Sequence, residues 1–324
     1  MNESPLFWPA RLDGNTLLVL DETQLPRKLH YIQVKNTKQA VAVIRQMKTR
    51  AFGQFLVVLN TFLLVLQNQK DSSSVTLFKV LQETAESLNA SRPTFPFSEV
   101  TSIVIGWAKQ ALAQNLDLKN FITKNIQGFL MGIRMKRLKR VEQIAATIKD
   151  GDSVLTHCNV SGELAMAAQI CQQEGKEVHF FTTETRPYFQ GAKLTCWELY
   201  QAGAKVTLVA DNAVGSLMAD GLIDRVIIGS DRSCANGDVA NKIGSYQIAA
   251  LAKEFEIPLY VLTQPSNKIP TGEDIPIELR DPKEILFYEN KKIVPGKVKG
   301  FYPGFDVVPH ELIAGQLAVD PSGR

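Results

Sequence analysis

The chain opens on short apolar runs separated by turn residues. "ARL" (10–12) and "NTLLVLD" (15–21) flank Asp13-Gly14, a tight-turn pair, and this pattern predicts a hairpin. "HYIQVK" (30–35) alternates apolar and polar residues like a half-buried strand. From Asn36 the period changes. Ala40, Val43, Ile44 and Met47 share one helical face, Asn36 with Gln39 resembles a capping box, and the helix is expected to end near Arg50. An almost wholly apolar helix follows over Phe55–Leu66. Helical patterns continue through Ser72–Leu88, Phe97–Leu116 and Phe121–Ile148, interrupted by the Arg92-Pro93 loop.

Beyond Asp150 short apolar runs alternate with helical segments. The runs are "SVLTH" (153–157), "EVHFFTT" (177–183), "KVTLVAD" (205–211), "RVIIGSD" (225–231) and "PLYVLTQ" (258–264). Helices are expected over Gly162–Glu174, Gly191–Ala202, Ala213–Ala219 and Val239–Phe255. Such alternation predicts a parallel sheet covered on both faces. The fold class is therefore α/β. A mainly helical N-terminal domain with a small β-hairpin region (1–125) leads through a linking helix (126–149) into a Rossmann-like parallel sheet flanked by helices (150–324). Neither G-x-G-x-x-G nor G-x-x-x-x-G-K-[ST] occurs, so the usual dinucleotide and triphosphate fingerprints are missing.

Open parallel sheets bind ligands beyond the carboxyl ends of their strands, so the residues that follow each run are the ones to inspect. The first run delivers His157, Cys158 and Asn159. The second delivers Thr182 to Arg186, with Gln190 a few residues on. Asp211 and Asn212 follow the third. Ser230, Asp231 and Arg232 follow the fourth, ahead of "SCANGDVANK", and Gln264, Ser266 and Asn267 follow the fifth. Turns and caps need Asp, Asn and Ser at such places. They do not need a thiol, two arginines and a lysine, and this set favours a polar, anionic small molecule as ligand.

Each residue also has a plainer role open to it. Cys158 could be a small buried hydrophobe, Asp231 a partner of Arg232 or a turn cap, and Lys242 a solvated helix lysine. Arg50 could simply end its helix, and Arg92 could be an exposed loop charge.

Composition narrows the partners. The 324 residues are 45% hydrophobic and 21% charged, ordinary values for a soluble globular protein. The net charge of +3 gives no argument for nucleic acid. The basic run "RMKRLKR" (134–140) reads as a solvated helix face. Phe55–Leu66 is expected to be too short to cross a bilayer, and the N-terminus has no signal-peptide pattern. Cys158, Cys171, Cys196 and Cys234 show no metal-ligand spacing, so neither metal nor disulfide is expected, and the last three read as structural. A cytoplasmic protein with reduced thiols follows as the expectation.

Five blocks carry a resemblance. "LTHCN", "ETRPYFQGAKLTCWEL", "DNAVGSLM", "GSDRSCANGDVANKIGSY" and "GFDVVPHELI", together with the N-terminal "LDETQLPRKLHYIQVK", resemble the methylthioribose-1-phosphate isomerase family in order and in register. That family sits in a larger group with ribose-1,5-bisphosphate isomerase and regulatory subunits of the eukaryotic translation-initiation exchange factor. The resemblance implies an aldose–ketose isomerase that converts 5-methylthioribose 1-phosphate to 5-methylthioribulose 1-phosphate in methionine salvage. Cys158 and Asp231 would be its catalytic pair, and Arg50, Ala51, Phe52, Arg92, Gln190, Asn241 and Lys242 its sugar-phosphate ligands. Asp231 would protonate the ring oxygen, with a carboxyl pKa raised by burial. Cys158 would move or stabilise the transferring hydrogen, as a proton or a hydride. No metal or organic cofactor is implied, and a homodimer through the C-terminal domain is.

Two departures stand out. The family's Arg-Gly-Ala-Pro loop reads Arg50-Ala51-Phe52-Gly53 here, and Tyr302 stands where asparagine is more usual. Two alternatives therefore remain beside the methylthioribose reading. One is isomerisation of ribose 1,5-bisphosphate or 5-deoxyribose 1-phosphate. The other is a non-catalytic regulator that binds a sugar phosphate or nucleotide, although that branch is expected to lack the Cys–Asp pair.

Overall fold

The computed structural model describes residues 2–69, 73–93, 95–264 and 268–318. The chain divides into two compact units, Pro5–Lys136 and Met1–Ser4 with Arg137–Arg324.

In the first unit β1 (Ala10–Asp13), β2 (Thr16–Leu20) and β3 (Tyr31–Val34) form an antiparallel sheet, with Gly14 at φ +52° in the predicted turn. The helix α1 (Thr37–Arg45) is capped by Asn36, whose side chain accepts from the Gln39 N–H at 3.0 Å. It stops well before Arg50. Met47 turns left-handed (φ 51°), and the N–H groups of Met47 and Lys48 close back on the carbonyls of Ile44 and Val43. Three further helices follow, α2 (Ala51–Asn68), α3 (Ser74–Asn89) and α4 (Phe97–Ala113), and α5 (Leu118–Thr147) continues past the division between the units. Ser73 caps α3, while Ser72, the predicted start, lies outside the described residues.

The helix α2 corrects one expectation. At 18 residues it is long and apolar enough, by length and composition, to cross a membrane. In this unit it is the core helix: Leu56, Leu59, Phe62 and Leu64 are fully buried among residues of α1, α3 and α4. Burial of each such side chain contributes about 1.5–3 kcal/mol.

The second unit is built on six parallel strands, β4 (Ser153–Thr156), β5 (His179–Thr183), β6 (Lys205–Val209), β7 (Arg225–Ile228), β10 (Leu259–Thr263) and β14 (Gly315–Ala318), in the order β14-β10-β7-β4-β5-β6. Between them lie the helices α6 (Glu163–Gln173), α7 (Cys196–Gln201), α8 (Val214–Ala219) and α9 (Ser245–Glu254). The chain winds outward from β4 through β5 to β6. It then returns to β7 on the other side of β4 and winds outward again, so the order reverses between β4 and β7. This is the doubly wound topology expected, with its switch point between those two strands.

The strand β14 was not anticipated. Nor was a second, antiparallel sheet of β8 (Arg232–Ser233), β9 (Val239–Lys242) and β13 (Phe305–Val308). Val239–Phe255 is thus not one helix: its first residues are strand, and Gly244 at φ +102° turns the chain into α9. The segment between β10 and β13 carries α10 (Lys283–Leu286) and the pair β11 (Phe287–Tyr288) and β12 (Lys291–Lys292).

The basic run of α5 also departs from expectation. Arg137 and Arg140, one turn apart, are buried rather than solvated. Their guanidinium groups donate to the Glu163 carboxylate at 2.5 Å (Arg137 Nε), 2.5 Å (Arg140 Nε) and 2.6 Å (Arg140 Nη2).

Candidate active site

In the first unit the candidate phosphate ligands lie where α2 begins. Arg50 is the residue before the helix, in extended conformation (φ −83°, ψ −176°), and Ala51 and Phe52 form its first turn. Arg50 therefore starts α2 and does not terminate α1. Helix starts leave backbone N–H groups without intrahelical partners, a property suited to anions. Gly53 is required here, because a Cβ would stand 1.8 Å from Thr49 Oγ1. Phe52 turns to an aromatic cluster, edge-on to Trp8 (5.7 Å between centroids) and stacked near Phe55 (6.1 Å).

A buried network links Arg50 to Arg92. Glu22 accepts from Thr49 Oγ1 at 2.5 Å and from the Arg50 N–H at 3.1 Å. Gln54 donates to the Thr49 carbonyl at 2.9 Å and accepts from Arg92 Nη1 at 3.0 Å. Burial pushes the Glu22 carboxyl up, against the opposing pull of Arg50. Glu22 and Gln54 escaped the sequence reading, although Glu22 lies in the N-terminal block that carries the resemblance.

In the second unit Cys158 and Asp231 follow β4 and β7, the adjacent strands that flank the switch point. Cys158 is 8% exposed and sits at φ +65°, a left-handed conformation unusual for a side chain with a Cβ. Its N–H donates to Thr185 Oγ1 at 3.0 Å, and its carbonyl accepts from Thr195 Oγ1 at 2.6 Å. Thr185 is itself left-handed (φ 63°), and Asp211 accepts from the N–H groups of Thr185 and Arg186, both at 2.7 Å.

His157 ties the end of β4 to the loop after β9. Burial lowers its pKa, so the ring is neutral, with Nε2–H donating to the Ile243 carbonyl at 2.9 Å and Nδ1 accepting from Thr183 Oγ1 at 2.6 Å.

The small antiparallel sheet gathers three of the expected residues. The Asp231 N–H donates to the Ala240 carbonyl at 2.8 Å, so Asp231 lies beside the end of β9, which carries Asn241 and Lys242. The Asn241 amide donates to Ser245 Oγ at 2.8 Å. Lys242 belongs to a strand and is only 7% exposed, not a solvated helix lysine. Its ammonium lies 4.9 Å from the Phe305 ring centroid, 5.8 Å from that of Tyr188 and 6.0 Å from that of Tyr302.

Gln190 precedes a π-helical turn (Gly191–Thr195), where a Cβ on Gly191 would stand 1.8 Å from the Thr183 carbonyl oxygen. It is 6% exposed, and its Oε1 has no hydrogen-bond partner among the described residues. Asp231 is exposed, not buried as expected. Ser266 and Asn267 lie outside the described residues.

Among the described residues, one trio has ligand atoms close enough for a metal: Asp238, His310 and Glu311. The Asp238 carboxylate is already occupied, accepting from Asn236 Nδ2 (2.7 Å), Gly272 N (3.0 Å), His310 N (2.9 Å) and His310 Nδ1 (2.9 Å). It is a loop clasp.

Sheet order, strand-end residues and a buried lysine together define a doubly wound α/β protein with a candidate ligand site at its switch point. The chain belongs to the initiation factor 2 subunit family, whose model matches residues 54–318. It is similar to methylthioribose-1-phosphate isomerase of Desulforudis audaxviator, 37% identical over 342 residues that cover 96% of this chain and 92% of the relative. The same enzyme of Desulforamulus reducens is 34% identical over 322 residues, covering 93% and 91%. The crystal structure of 5-methylthioribose 1-phosphate isomerase from Pyrococcus horikoshii OT3 matches with a TM-score of 0.84 at 25% identity, covering 98% of this chain and 93% of that one. The delta subunit of translation initiation factor eIF-2B from A. fulgidus matches with a TM-score of 0.82 at 30% identity, covering 96% and 94%.

Proposed function

We propose that this chain is an aldose–ketose isomerase that converts 5-methylthioribose 1-phosphate to 5-methylthioribulose 1-phosphate. One observation carries the reading: a thiol and a carboxylate, Cys158 and Asp231, leave the two strands that flank the switch point. The reaction moves one hydrogen from C2 to C1. C2 is oxidised to a carbonyl, C1 is reduced, and the bond from C1 to the ring oxygen breaks as that oxygen gains a proton. Asp231 donates this proton, and the proton that the C2 hydroxyl loses as C2 becomes a carbonyl returns to the Asp231 carboxylate, so the acid is regenerated. Cys158 lies beside the migrating hydrogen and either relays it as a proton or shields its passage as a hydride.

Arg50 and Arg92 are the phosphate ligands of the first unit, through their planar forks, and Lys242 is the anion ligand of the second, as a point charge. The N–H groups of Ala51 and Phe52 add donors beside Arg50. Asn241 and Gln190 bind sugar oxygens. The N-terminal aromatic cluster around Phe52 supports an apolar tail on the substrate over a second phosphate. The compartment we propose is the cytoplasm, and the assembly a homodimer through the C-terminal unit.

The test is turnover of 5-methylthioribose 1-phosphate deuterated at C2, followed by NMR, for wild type beside Cys158→Ser and Asp231→Asn. Each variant is expected to lose at least about 100-fold in kcat, the usual scale for removing an acid–base group. Deuterium retained at C1 identifies hydride transfer, and exchange with water identifies an enediolate. A folded wild type inactive on this substrate refutes the reading. Ribose 1,5-bisphosphate and 5-deoxyribose 1-phosphate, run alongside, separate a different sugar from a regulator without turnover.

A further inference from the structure

The hydroxyl of Tyr302 is buried, and the residue is 4% exposed, yet that hydroxyl has no hydrogen-bond partner among the described residues. Leaving such a group dry and unbonded is unfavourable. The position is fixed by backbone pairing. The Tyr302 carbonyl accepts from the Arg280 N–H at 2.9 Å, and Pro303 bridges to Leu279. The neighbourhood is that of the candidate site. The Lys242 ammonium lies 6.0 Å from the ring centroid, and Tyr188 packs edge-on at 6.5 Å.

Tyr188 is not an equivalent donor, because its hydroxyl is already held by Glu284 and Arg280. Tyr302 is the phenol left uncommitted. Gln190 supplies a complementary feature, a buried amide oxygen also without a partner. An uncommitted hydroxyl beside the Lys242 ammonium matches a polyhydroxylated, anionic ligand. Burial also keeps the phenol protonated, so it is a donor across the working pH range.

We infer that Tyr302 is a substrate-contacting, specificity-determining residue whose hydroxyl donates to a sugar oxygen beside Lys242. This rests on the isomerase reading and extends it, since the position departs from the asparagine expected there.

The experiment compares wild type, Tyr302→Phe and Tyr302→Asn for kcat/KM on 5-methylthioribose 1-phosphate and for Tm without substrate. Tyr302→Phe is expected to lose about 3- to 10-fold in kcat/KM, the cost of a missing neutral hydrogen bond, with Tm unchanged or raised because an unbonded buried hydroxyl has gone. Tyr302→Asn, which restores a donor, is expected to fall between the two and tests the point independently if the phenylalanine variant folds poorly. Wild-type kcat/KM in Tyr302→Phe overturns the inference, as does a lowered Tm with unchanged kinetics, which marks a structural hydroxyl. An inactive wild type brings down the isomerase reading and this inference together; an active wild type with indifferent variants brings down this inference alone.

Discussion

Replacing Glu163 with glutamine tests whether a buried ion cluster holds the loop that carries Cys158. Glu163 opens α6 and is 1% exposed, and it receives all three short bonds from Arg137 and Arg140. The same arginines donate to the Ser161 carbonyl at 2.7 Å and the Thr263 carbonyl at 2.9 Å, so they fix the chain just after Cys158 and at the end of β10. Glutamine keeps the shape but removes the charge and turns an N–H₂ toward one guanidinium. Removing one partner of a buried ion pair costs about 3–5 kcal/mol. For a unit of this size each kcal/mol lowers Tm by roughly 2–4 °C, so Glu163→Gln should melt about 6–20 °C below wild type in calorimetry. The two guanidinium groups hold the Glu163 carboxyl below the ordinary carboxylate range. Its contribution is therefore present above the unfolded-state value and is lost as pH falls through the lower folded-state value, so the difference between the proteins should shrink under acid conditions. Replacing all three residues together (Arg137→Met, Arg140→Met, Glu163→Leu) should recover much of the Tm, because no uncompensated charge remains. A Glu163→Gln protein that melts within 2 °C of wild type at neutral pH refutes the reasoning.

Two further predictions concern the candidate ligands. Gln54→Leu keeps the volume but severs Arg92 from the Thr49 carbonyl. KM for the sugar phosphate should rise about tenfold with kcat little changed, at a stability cost of about 1–3 kcal/mol for the buried groups left unbonded. Steady-state kinetics beside a thermal melt check it, and an unmoved KM sinks it. Asp306, whose carboxyl is pushed up to about 6 by burial, accepts from the N–H groups of Gly244 (2.8 Å) and Tyr246 (3.1 Å), next to Lys242. Activity should therefore fall below pH 6 in wild type, and this limb should vanish in Asp306→Asn. Because the folded-state value is raised, this group's contribution to stability is present below the unfolded value and is lost as pH rises through 6. Melts across the same range should thus show no loss of stability from this group on acidification.

The parallel sheet was readable in the sequence because its central strands β4, β5, β7 and β10 are continuous apolar runs ending in polar residues, as buried strands should be, although the edge strand β6 is largely solvent-facing. Cys158 and Asp231 could be singled out by the same logic. What escaped the reading lacks a periodic signature. "VANK" is a strand buried on both sides, with no alternation to distinguish it from the helix that follows. Arg137 and Arg140 lie among five basic residues of one run, and only Glu163, far along the chain, selects which two are buried. Glu22 and Gln54 are buried polar residues whose partners come from distant segments. Long-range polar pairing of this kind leaves no mark in local composition.

Backbone strain at the switch point adds weight to the proposed role of Cys158. A left-handed conformation costs a residue with a Cβ roughly 1–2 kcal/mol, and glycine would avoid the cost. The chain uses glycine freely elsewhere, at Gly14, Gly175 and Gly221. Around this site it instead holds Cys158, Ser161, Thr185 and Phe189 at positive φ. Two hydroxyls, Thr185 and Thr195, clamp Cys158 from both sides, and Asp211 clamps Thr185 in turn. A thiol needed only to fill space could sit in α6, as Cys171 does, without any of this. Strain that its surroundings over-determine, in a loop leaving the switch point of a parallel sheet, is what the placement of a reacting group requires.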